Sequence, residues 1–102
     1  MAIHTPLPTT HPSVPSGAWT KINTVSGSNR RRLLVVNENS SVNYRIETCG
    51  AHEVAALEAS SGLILTPGGS YTENYDSLSS ANVYAYQGSG GALTTLAVKE
   101  GV

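Results

Sequence analysis

Val42, Tyr44, Ile46 and Thr48 alternate with Asn43, Arg45 and Glu47. A period of two puts one set of side chains on a buried face of a strand and the other on a wet face. The segments around this run read the same way. Ala18–Thr24 forms a short strand with Trp19 and Ile22, and Val25–Asn29 forms a turn. Arg32–Asn37 holds Leu33-Leu34-Val35-Val36, apolar on both faces, which suits a central strand covered on both sides. Leu63-Ile64-Leu65 is a short strand stopped by Pro67-Gly68-Gly69. Ser70–Tyr75 alternates again, and Asp76–Ser80 reads as a loop. Asn82–Gln87 carries Val83 and Ala85 on one face and Tyr84 and Tyr86 on the other. Leu93–Lys99 is the last strand. Residues 51–59 are rich in Ala, Glu and Leu, and read either as a short helix or as an edge strand with a long loop.

Seven to eight short strands with turns every 8–12 residues predict an all-β domain over residues 18–102. Its architecture is a single antiparallel β-sandwich or a jelly-roll-like barrel. Composition supports this, because charged residues make up 13% of the chain and Phe is absent. Sheet proteins can cover their solvent faces with Ser, Thr and Asn in place of charge.

Residues 1–17 differ from the rest. They hold Pro6, Pro8, Pro12 and Pro15, spaced by Thr, Ser and His. Each proline fixes its own φ, lacks an N–H and pushes the preceding residue into extended conformations. The segment is expected to be an extended arm without a core of its own. Ile3, Leu7 and Val14 are its small apolar anchors for a partner surface, set between the prolines Pro6, Pro8, Pro12 and Pro15.

The candidate chemistry is sparse. Cys49, His52 and Glu53 are all metal-ligating types, but no second cluster completes a site, so neither a metal nor another cofactor is expected. Gln87-Gly88-Ser89-Gly90-Gly91 is similar to the nucleophile segment of trypsin-like serine proteases, but its Asp is missing. A base and an orienting acid are not marked beside it. Its glycines read as a hairpin connection. The chain is therefore not expected to be an enzyme. Arg30-Arg31-Arg32 opens a strand, so Arg30 and Arg32 share a face. Lys21, Arg45 and Lys99 are too few to extend this run into a nucleic-acid groove, and the net charge is −1. Pairing of Arg30 and Arg32 with neighbouring subunits, or a solvated strand end, is the expected role. The five tyrosines and Trp19 serve as core filling, interface anchors or a platform for sugars. Tyr84 and Tyr86 are the expected partner-facing pair. A lone cysteine and the lack of a basic-apolar leader suggest synthesis in a reducing cytosol. No run reaches the ~18 apolar residues of a membrane span, so no membrane partner is expected.

Arg32-Leu33-Leu34-Val35-Val36-Asn37-Glu38-Asn39-Ser40-Ser41-Val42-Asn43-Tyr44-Arg45-Ile46, with the later Leu65-Thr66-Pro67-Gly68-Gly69-Ser70-Tyr71, resembles small β-sandwich proteins of tailed-bacteriophage particles. In those, an Arg-Leu-Leu-Val-type strand enters an Asn-x-Ser turn, and a Pro-Gly turn precedes an aromatic. The resemblance implies a structural virion protein, above all one that decorates or cements a capsid. Its partners would be the major capsid protein or another virion protein, and further copies of itself in a homo-oligomer such as a trimer. The alternative function is a carbohydrate- or receptor-binding module of a fibre or tail.

Overall fold

A computed structural model describes residues 8–23, 30–79, 81–88 and 94–101. The expected turns over Val25–Asn29 and around Ser89–Gly91, and the arm residues Ile3, Pro6 and Leu7, lie outside them. The described residues form nine strands: β1 Ser13–Val14, β2 Thr20–Lys21, β3 Arg30–Val36, β4 Tyr44–Cys49, β5 Leu63–Leu65, β6 Ser70–Ser79, β7 Asn82–Tyr86, β8 Thr94–Thr95 and β9 Ala97–Gly101. Two antiparallel sheets make the sandwich, one ordered β2-β7-β4-β5 and the other β6-β3-β9, while β1 pairs with β8. The sheets remain open, so the architecture is a sandwich and not a closed barrel.

The core lies between the inner faces. Leu33 and Val35 of β3 and Val98 of β9 meet Tyr44 and Ile46 of β4 and Val83 and Ala85 of β7. Ile22, Leu65, Leu96 and Val14 complete the cluster. In a chain without Phe, Tyr44 is the largest fully buried side chain among the described residues. Its hydroxyl accepts from Asn39 Nδ2 at 2.9 Å and donates to the Thr95 carbonyl at 3.3 Å. A buried phenol needs such partners to offset its lost hydration.

The end of β3 and the Pro67-Gly68-Gly69 turn are joined. Asn37 N–H donates to the Gly69 carbonyl at 2.9 Å, and Gly68 N–H donates to the Asn37 carbonyl at 2.8 Å. Gly68 has φ +80, which only glycine adopts readily.

The arm is a strand of its own domain. Thr10 and Val98 exchange backbone hydrogen bonds of 2.8 Å, and Leu96 N–H reaches the Pro12 carbonyl at 3.4 Å. Ser13 faces Thr95 and Val14 faces Thr94 in the same antiparallel register. Prolines are tolerated here because an edge strand can turn its missing donors outward. Val14 is fully buried. Between Thr10 and Val14 the arm therefore joins the core of the following domain, with Thr10, Pro12 and Val14 less exposed than His11 and Ser13.

Other departures have local causes. Leu93–Lys99 does not run as one strand. Its described part divides at Leu96 into β8, which pairs with the arm, and β9, which pairs with β3. The segment after Gly50 is a 3-10 helix over Ala51–Ala56, closed at its start by Gly50 N–H donating to the Glu53 carboxylate at 2.8 Å. The expected loop Asp76–Ser80 is instead strand as far as Ser79, because β6 continues beside β3 through a register shift between Arg30 and Arg32. Leu33 and Val35 are buried, whereas Leu34 and Val36 on the outer face are half-buried.

Candidate binding face

The outer face of the β2-β7-β4-β5 sheet brings Lys21, Tyr84, Glu47, Arg45, Tyr86 and Ile64 into adjacent rows. In register, Arg45 of β4 lies between Tyr86 of β7 and Ile64 of β5. The next row runs Lys21, Tyr84, Glu47 across β2, β7 and β4. Because Tyr44 and Ile46 point into the core, Arg45 and Glu47 must point outward.

The loop after the 3-10 helix folds over this face and fixes two of its residues. Arg45 Nη1 donates to the carbonyls of Ser60 at 3.1 Å and Gly62 at 3.4 Å. Trp19 Nε1 donates to the Glu58 carbonyl at 3.1 Å. Trp19 packs against Tyr86 with ring centroids 5.2 Å apart and planes tilted by 32°. Gly88 lies so close to Tyr86 that a Cβ there would sit 3.3 Å from Tyr86 Cε1. Beside this set is an open hollow of ≈ 410 Å³, lined by Arg45, Tyr86, Ile64, Asn43 and Ser41 among others.

A second shallow groove of ≈ 210 Å³ lies on the other sheet, between the arm residue Thr9 and Leu34 and Val36 of β3. Nearby, His11 Nε2 of the arm stands 3.4 Å from Glu38 Oε1, an exposed pair of the kind that adds little stability. One of the two terminal strands of the first sheet is β5, where Leu63 is 64% and Ile64 56% exposed.

The structure redistributes the residues expected to bind partners. Pro8 and Pro15 are exposed and Pro12 is half-buried. Val14 belongs to its own core and offers nothing to a neighbour. Arg30 stands opposite Ser79, and Arg32 is exposed between Asn74 and Gly101. Tyr84 keeps the outward register expected of it but is only 6% exposed, so it is not a partner-facing side chain. Tyr86 is half-buried against Trp19. Arg45, Asn43 and Ile64 were not singled out from sequence. The signal for Arg45 was its place in the alternating run, which fixes its face but not its neighbours on β5 and β7.

Cys49, at the end of β4, is half-buried, and burial followed by the charges of Glu53 and Glu47 raises its thiol above the ordinary range. Among the described residues, no group of three His, Cys, Asp or Glu side chains is placed to hold a metal ion. No helix among them is long and apolar enough to cross a membrane. Compared with known protein families, curated proteins and solved structures, the chain matches none.

Proposed function

We propose that this chain is a structural assembly protein, a virion subunit that decorates or cements a capsid by binding across junctions between neighbouring capsid proteins and further copies of itself. The observation that supports this most is the β5 edge. Leu63 and Ile64 are consecutive large aliphatic residues, both more than half exposed, on the terminal strand of a sheet. A lone protein usually protects such an edge with charge, proline or a covering loop. An aliphatic edge that is left open marks a contact surface. The sandwich fold and the phage-like turn segments agree with this role, and the arm supplies a second edge on the other sheet.

Two measurements test the proposal. Light scattering across a concentration series should give a mass above one chain, and Leu63→Ser should lower that mass without changing the melting temperature. Antibody labelling should find the chain on purified tailed-phage particles from its producing cells. A concentration-independent single-chain mass together with unlabelled particles would overturn the reading.

A further inference from the structure

The hollow beside Tyr86 shares Ile64 with the β5 edge, but its other lining residues lie outside that edge. We propose that it binds a carboxylate-bearing sugar ring, such as a uronic-acid residue of a surface polysaccharide.

The argument begins with charge. Among the described residues, Arg45 is the one charged side chain lining the hollow. Glu47 lies on the same face one row away, where Lys21 shares its row on the far side of Tyr84 and offsets it. The bonds to Ser60 and Gly62 use Nη1 alone, so they hold the guanidinium in place while its other N–H groups remain outside those contacts. A fixed guanidinium favours a planar carboxylate that it can meet with two parallel hydrogen bonds.

The wall next to Arg45 is aromatic. Tyr86 is fixed by Trp19 on one side and by the close approach of Gly88. A rigid ring costs little entropy to use and suits the flat C–H face of a pyranose. Asn43 and Ser41 provide an amide and a hydroxyl at the rim, which match ring hydroxyls as donors and acceptors. A bare phosphate would use the cation but neither the aromatic wall nor the rim. The volume of ≈ 410 Å³ lies within the ~300–1,000 Å³ usual for small-ligand sites.

Trp19 is the only tryptophan in the chain and touches Tyr86, so its fluorescence reports on the site. The full chain is titrated with trigalacturonate, with neutral galactotriose and with inorganic phosphate. A saturable change in emission is expected with trigalacturonate, at least tenfold tighter than with the neutral trisaccharide. Tyr86→Ala and Arg45→Lys should each weaken it at least tenfold, and their melting curves report whether the fold survives. Isothermal calorimetry on the unaltered chain serves as a second readout that needs no variant. No saturable heat or emission change with trigalacturonate would overturn the proposal. So would equal binding of the neutral sugar, or phosphate competing as strongly as the uronate. Leu63→Ser should leave the titration unchanged, so failure of this site and failure of the assembly role are read separately.

Discussion

The side-chain amide of Asn37 donates to the Leu65 carbonyl at 3.0 Å inside the protein, tying the end of β3 in one sheet to β5 in the other. The same Nδ2 donates to the Val42 carbonyl at 2.7 Å, and Oδ1 accepts from Asn39 N–H at 3.0 Å. One fully buried side chain thus satisfies two carbonyls and one N–H across three chain segments.

Asn37→Ala would leave those groups buried and unpaired, at about 1–3 kcal/mol for each that cannot reach water. Chemical denaturation should show a loss of about 2–4 kcal/mol. Asn37→Asp keeps the shape but turns a carboxylate oxygen toward two carbonyls. Its folded pKa should then rise above the ordinary aspartate value of about 3.9. A raised folded pKa gives stability that is present in acid and lost as pH rises through it. Asn37→Asp should therefore be most destabilised near neutral pH and partly recover toward pH ~4, and a pH-independent deficit would contradict this account.

The arm from Thr10 to Val14 is part of the fold. Gln87 Nε2, itself buried, donates to the Val14 carbonyl at 2.9 Å, and Val14 fills the core. Val14→Ala removes buried methyl groups and should cost about 1.5–3 kcal/mol. Deleting residues 2–16 removes Val14 and its strand pairing together and should destabilise more than the point substitution. Two thermal melts settle the order.

The strands were legible wherever local chemistry was enough to define them. The alternation in Val42–Thr48 gave the buried Tyr44 and Ile46, and Pro67-Gly68-Gly69 marked the stop after Leu65. What stayed hidden depends on which element lies over a given face. Periodicity puts Tyr84 opposite Val83 and Ala85, but not whether something covers it. The prolines of the arm declare extended backbone, yet Val14 enters the core only because Thr94–Val98, some eighty residues away in the chain, accepts it as a strand (Val14↔Thr94). Arg45 looked like one of a few scattered cations until Tyr86 and Ile64 came into register beside it.

Gly62 controls the loop that holds Arg45. It has φ +76, and a Cβ there would come within 2.5 Å of the Ile46 carbonyl oxygen and 3.3 Å of Trp19 Cη2. Gly62→Ala combines left-handed strain of about 1–2 kcal/mol with a clash against backbone that cannot yield. A loss of about 2 kcal/mol or more is expected by denaturant unfolding. Because the obstructed atoms include the indole, the emission of Trp19 should shift as well. A variant that loses stability with unchanged emission would place the strain elsewhere.

Cys49 tests the electrostatics of the β4 end. Burial, then Glu53, then Glu47 raise its thiol, so the neutral form dominates at neutral pH. The thiolate is the reactive species, and iodoacetamide should modify Cys49 more slowly at pH 8 than it modifies a small free thiol. Glu53→Gln and Glu47→Gln each remove a negative charge that opposes the thiolate, so each should lower the pKa and speed alkylation. Linkage gives a companion result. A thiol raised on folding contributes stability that is full below its unfolded value, about 8.5, and is lost as pH climbs through the folded one. Stability should therefore fall on the alkaline side, and Cys49→Ser should flatten that fall. Alkylation as fast as a free thiol, unchanged by either glutamine substitution, would show that neither burial nor the two carboxylates govern the group.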